Sequence, residues 1–359
     1  MFNVPLLPRT LKACEHDFLS ADVEVRTAVA RDLGRPSTDA EQQARLELLT
    51  RCLSDAEAKV RCQALLSIAD LQASTLRTRV LSMLSDADLK VRQMAVIALG
   101  EIAAPEDDEI VGRLASLLSA GAPPVRYQAL LAYCNLRPDQ CESDLKNALF
   151  DKDDEIVELG IRLVDEVLFE NGHALSNGLQ QALKLRASDA PAPVRLLAQL
   201  VCATAGLAAP HDHLLLVVQR RLKVREPRDE QWAIELCGCL QIKEAIPALH
   251  RRAFGIFGWS LDPFRWAALS ALARLGEGAA LDQLLHQLHS RNYVRRVSAV
   301  QALGNCRRIE AVRALEQRFC ELENVKAGAG HDEFELVSRA LDTLRADLKR
   351  ENCGNFSVA

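Results

Sequence analysis

The sequence holds 359 residues, 49% apolar and 26% charged, with a formal net charge of −5. That balance excludes an intrinsically disordered chain, and no apolar run approaches the roughly 20 residues of a membrane-spanning helix. Residues 1–180 carry 19 Lys/Arg against 29 Asp/Glu (−10), whereas residues 181–359 carry 25 against 20 (+5). A global basic signature for nucleic acid is therefore absent, and only the second half offers a local one.

The opening M-F-N-V-P-L-L-P-R-T has no basic region leading into a long apolar run, so no secretory leader is read and a cytoplasmic location is expected. Residues 1–19 are expected as an N-terminal cap with one helix, Leu6 to Leu19. The next stretches repeat one pattern, clearest in S-D-A-D-L-K-V-R-Q-M-A-V-I-A-L from Ser85 to Leu99. A polar turn precedes Val91-Arg92, and apolar residues then recur at Val91, Met94, Ala95, Ala98, Leu99 and Ile102 on one helix face. Aligned on the V-R step, the copies fall at Arg26, Arg61, Arg92, Arg126, Glu158, Arg195, Glu230, Arg265 and Arg296, at spacings of 31 to 37 residues. Such a period marks a helical solenoid with two helices per unit. Ser54-Asp55-Ala56-Glu57 has the spacing of a capping box, and Pro123, Pro124, Pro191 and Pro193 stand where a helix starts.

The repeated D-x-x-x-V-R-x-x-A-x-x-A-L-G pattern, together with L-Q-I-K-E-A-I-P-A-L, resembles HEAT repeats over about residues 10–320. The likeness is to the short bacterial type also found in phycobilin lyase subunits. It implies an all-α, right-handed α-α superhelix (a HEAT/armadillo-type solenoid) of about nine to ten helical pairs, spanning residues 1–350 as one domain. The resemblance also implies a ladder between neighbouring units, with Asp55, Asp86, Arg61, Arg92 and Arg126 in that role. Glu158 and Glu230 replace the arginine and interrupt the pattern. Residues 324–350 are expected as a C-terminal cap whose helix, Phe334–Leu348, follows a glycine-rich loop. Residues 351–359 are expected as a disordered tail.

Catalytic chemistry needs side chains converging on one point. His211-Asp212-His213 reads as a solvated loop after Pro210, and His286 and His289 as one exposed helix face. HEAT-type deoxyhypusine hydroxylases bind iron through His-Glu pairs, and no His-Glu dipeptide occurs here. The eleven cysteines include no C-x-x-C pair, which reads as reduced, mostly buried thiols. Cys237-Gly238-Cys239 reads as core packing. No cofactor and no metal are expected, and no enzyme activity.

Two features suit binding. Arg220, Arg221, Lys223, Arg225 and Arg228 cluster before and at one turn, and Arg251/Arg252, Arg291/Arg295/Arg296 and Arg307/Arg308 follow at repeat-like intervals. Stacked units would align them into a stripe for phosphates or an acidic protein surface. The turn between Phe254 and Trp266 is expanded and aromatic, with Phe257, Trp259, Phe264 and Trp266. Phe264 stands in place of the inward valine and is expected in the core. The reading is a non-catalytic scaffold or adaptor that holds an acidic protein partner in its concave groove. Arg220, Arg221, Arg225, Arg251, Arg252, Arg295 and Arg296 would supply charge, with Phe257 and Trp259 as aromatic anchors. The alternatives are a nucleic-acid binder resembling HEAT-like DNA glycosylases, through Trp232, Asp262 and Trp266, and a phycobilin-lyase-like protein.

Overall fold

The computed structural model describes residues 9–36, 38–171, 175–255, 262–323 and 331–354. Among these residues there are twenty α-helices and no strand. Contacts group the chain into two compact units, Met1–Ala182 and Leu183–Ala359. The first unit holds α1 (Leu11–Asp17), α2 (Val23–Leu33), α3 (Asp39–Cys52), α4 (Ala58–Asp70), α5 (Arg77–Ser82), α6 (Leu89–Ile102), α7 (Asp108–Ala120), α8 (Pro123–Leu136), α9 (Glu142–Ala148) and α10 (Asp154–Asn171). Helix α11 (Asn177–Asp189) runs across the division. The second unit continues with α12 (Ala192–Thr204), α13 (Asp212–Val218), α14 (Pro227–Cys239), α15 (Ile246–Phe254), α16 (Arg265–Arg274), α17 (Gly278–Leu288), α18 (Tyr293–Gly304), α19 (Ile309–Glu323) and α20 (His331–Gly354).

Odd and even helices alternate as ten pairs among the described residues, matching the expected number. The even helices pack side by side, α2 to α10 in the first unit and α12 to α20 in the second, while the odd helices other than α11 lie against their even partners. The apolar stripe read from the sequence is what they bury: Val91, Ala95, Ala98, Leu99 and Ile102 of α6 are all buried. Among the described residues no helix is long and apolar enough to cross a membrane.

Two further register positions explain the repeat. The glycine eight residues after the V-R arginine sits where neighbouring even helices come closest. A Cβ on Gly100 would lie 3.0 Å from Ala132 Cβ, one on Gly304 3.0 Å from Ala340 Cβ, and one on Gly238 2.8 Å from the Ala271 backbone. Small residues on both sides let the backbones approach, and larger ones would push the units apart. Three residues later the chain turns left-handed at Gln72, Gly206, Gln241, Gly276 and Arg307, with φ between 48° and 95°. The next amide then reaches back five residues (Ala73 to Ile68, Leu207 to Cys202, Ile242 to Cys237, Glu277 to Leu272) and closes the helix end.

The ladder is present, with altered membership. Arg26 bonds Asp55 (2.8 Å), Arg61 bonds Asp86 (2.8 Å), Arg126 bonds Asp151 (2.6 Å) and Arg296 bonds Glu333 (2.9 Å). Each of these arginines also donates to carbonyls of its own preceding turn, as Arg61 does to Asp55 and Ala56. Arg92 makes only those carbonyl bonds, because the turn opposite is Ala120-Gly121-Ala122 and supplies no carboxylate. The rung assigned to it is therefore missing among the described residues.

The capping box is also corrected. Helix α4 begins at Ala58, so Ser54 lies too early to cap it, and Asp55 accepts the Glu57 amide instead. Asp86 and Asp151 accept the amides of Asp88 and Asp153 in the same way. Each aspartate thus shapes its own turn and pairs with the preceding unit's arginine. At the ends, α1 spans Leu11–Asp17, within the expected Leu6–Leu19, and α20 extends beyond Phe334–Leu348 in both directions.

Candidate binding groove

Helices α14, α16, α18 and α20 of the second unit lie next to one another and line a groove of about 470 Å³. Each contributes polar or aromatic groups one turn apart: Gln231 and Glu235 from α14, Trp266 and Ser270 from α16, Gln301 and the C-cap Asn305 from α18, Arg339 and Thr343 from α20. Residues four apart share a helix face, so each pair looks into the groove together. Phe264, at the N-cap of α16, completes the aromatic wall. It is half-buried and lines the groove, where the sequence predicts a core residue. The guanidinium of Arg265 lies 5.6 Å from the Trp266 ring centre. Burial, with Arg295 nearby, lowers the Arg265 pKa.

Charge in the groove is sparse and of both signs. Glu235 on α14 accepts from Gln231 at 2.8 Å. Arg339 on α20 is 78% exposed and stands 3.6 Å from Glu335 one turn away.

None of the arginines expected to bind a partner lines this groove. Arg220, Arg221, Arg225, Arg251 and Arg295 are exposed. Arg220 also bonds Asp262 at 2.7 Å. Arg252 is corrected outright. Its side chain is 3% exposed and reaches the carbonyls of Val217 and Val218, Glu230 at 2.7 Å and Asp262 at 3.4 Å. Here a glutamate occupies the V-R position, and Arg252 supplies the cation that register lacks. Arg296 is a half-buried ladder residue held by Glu333, so its charge is likewise committed inside the unit. Phe257 and Trp259 lie outside the described residues.

The trio considered for nucleic acid is not assembled at the groove. Trp266 lines it, Trp232 donates to Thr204 Oγ1 at 3.2 Å, and Asp262 is held by arginines while accepting the Phe264 amide. His211-Asp212-His213 is not a solvated loop. Asp212 opens α13, His213 is buried, and Gln199 ties the two together by accepting the His213 amide and donating to Asp212. Among the described residues no group of three or more His, Cys, Asp or Glu side chains could hold a metal ion. Burial pushes Cys52 and Cys237 up to about 12 and Cys202 and Cys306 up to about 11, which keeps these thiols protonated as small core fillers. The groove was hidden from sequence reasoning because its polar residues are mostly ordinary amides and hydroxyls, some exposed and some, as Ser270, buried. Only the stacking of four helices makes them one surface.

A comparison with curated proteins found no match. Among solved structures, the chain is similar to YibA of Escherichia coli at 14% identity, over 87% of this chain and 98% of that one, with a TM-score of 0.42. It is similar to the CpcE–CpcF complex of phycocyanin lyase from Nostoc at 16% identity, over 69% and 94%, with a TM-score of 0.39. Similarity to Kap121p is 16% identity over 98% of this chain and 43% of that one, with a TM-score of 0.39. At these scores the three likenesses carry no argument. Two family models match directly: HEAT repeats over residues 46–115, and PBS lyase HEAT-like repeat over residues 264–290. The chain thus carries HEAT repeats, with one matched stretch in each of its units.

Proposed function

We propose that this protein is a non-catalytic interaction scaffold that holds part of a protein partner in the groove of α14, α16, α18 and α20. The observation that carries the reading is the groove lining: a Phe–Trp wall facing amide and hydroxyl groups, with few charges. Aromatic anchors amid adaptable polar groups are the composition of protein-binding surfaces. The exposed Arg220, Arg221, Arg225, Arg251 and Arg295 would steer an acidic partner from outside the groove, and a cytoplasmic setting belongs to the same proposal.

A photo-crosslinking residue at Gln301, inside the groove, tests this against one at Ser116, an exposed position on α7. The expected result is a protein adduct from the Gln301 site alone, reduced by Trp266→Ala and by raised salt. Recovery of nucleic acid only, or equal adducts from both sites, overturns the proposal. The PBS lyase HEAT-like match covers α16 and α17, including Phe264 and Trp266. A bilin mixed with the protein is therefore the second probe, and a visible absorbance change lost in Trp266→Ala would favour that reading instead.

A further inference from the structure

The groove is graded in charge along one direction. Its α14 wall carries Glu235 and its α20 wall carries Arg339, and the two inner helices bring uncharged groups. Three interhelix steps of 8–10 Å separate those walls, roughly 24–30 Å, which is the span of about eight residues of extended chain. Midway stand Trp266 and Phe264, then the amides of Gln301 and Asn305. Both amide-bearing residues are exposed, and among the described residues neither side chain has a hydrogen-bond partner. A primary amide offers one acceptor and two donors, the complement of a peptide group. The Arg339–Glu335 pair is solvent-exposed, so it contributes little and leaves Arg339 able to exchange partners.

We infer that the groove takes an extended polypeptide segment laid across α14, α16, α18 and α20, with its charges at opposite ends. A basic side chain meets Glu235, an apolar or aromatic side chain rests on Trp266 and Phe264, a peptide group meets Gln301 and Asn305, and an acidic side chain meets Arg339. This rests on the groove being the protein-binding site and adds the chemistry of what it selects.

The test uses the full chain and dye-labelled synthetic peptides of about nine residues with a central leucine or tryptophan, read by fluorescence anisotropy. Their ends are Lys/Glu in either direction, Lys/Lys or Glu/Glu. The wild type should prefer the Lys/Glu peptides by about tenfold over both like-charged sets. Arg339→Glu should move the preference to Lys/Lys, Glu235→Lys should move it to Glu/Glu, and Trp266→Ala should weaken every peptide by about tenfold. Far-UV circular dichroism checks that each variant is folded, and Trp266→Phe should restore most of the binding. No charge preference in the wild type, or a preference unmoved by both reversals, overturns the inference. A protein adduct at Gln301 without a charge preference leaves the scaffold reading standing and removes this one. Binding of a single-stranded oligonucleotide and of no peptide removes both.

Discussion

Arg61 and Arg92 stand at the same register position and differ in what faces them. Arg61 makes two hydrogen bonds to the Asp86 carboxylate besides its carbonyl bonds, whereas Arg92 has only the carbonyls. Removing Arg61 leaves a largely buried carboxylate without its partner, and removing Arg92 does not. Arg61→Ala should therefore cost about 1–2 kcal/mol more than Arg92→Ala in urea unfolding. Equal losses would mean that the carboxylate rung adds nothing to the turn. The sequence motif makes the two arginines look identical. Only the neighbouring turn, 25 residues further along the chain for Arg61 and 28 to 30 for Arg92, distinguishes them. The same cause hides Arg252: nothing in L-H-R-R-A marks one arginine as exposed and the next as buried against Glu230 and Asp262.

At the scale of the helix, two glycines make a controlled comparison. Gly238 lies in α14 where a Cβ would come within 2.8 Å of the Ala271 backbone, and Gly112 lies in α7 with nothing within 4 Å. Gly238→Ala should destabilise the fold by about 1–3 kcal/mol through overpacking. Gly112→Ala should stabilise it by about 0.5–1 kcal/mol, because alanine loses less conformational freedom on entering a helix. Thermal unfolding of the two variants should shift in opposite directions. The helices themselves were legible in the sequence from their apolar spacing and turn residues, and the V-R copies mark nine of the ten even helices. Helix starts were less so. The S-D-A-E spacing suggested a cap at Ser54, but Asp55 turns the chain before the helix opens at Ala58.

Over the whole molecule the ladder carboxylates act in one direction with pH. Hydrogen bonds from Arg26 hold Asp55 below the usual carboxylate range. Asp86, Asp151 and Glu333 are also lowered: burial opposes this, and bonds from Arg61, Arg126, and Arg296 with Arg318 outweigh it. A depressed folded-state pKa contributes stability that is present above the unfolded value and is lost as pH falls through the folded one. The urea midpoint should thus hold near neutrality and drop below about pH 4. Asp86→Asn should start lower and lose less over the acid range. A wild-type midpoint unchanged between pH 6 and pH 3 would contradict the account.

By itself the sequence determined that the chain is a stack of helical pairs, because a helix displays its buried face every three to four residues and the repeat does so every 31 to 37. It also placed a small residue near the end of most even helices, though not why. Tertiary structure alone decided which arginines are buried and which are exposed, and that Gln231, Trp266, Gln301 and Arg339 share one groove. Those residues come from four helices more than a hundred positions apart at the extremes, and no local pattern links them. Periodicity is written within a helix. A surface assembled from four of them exists only once they have packed.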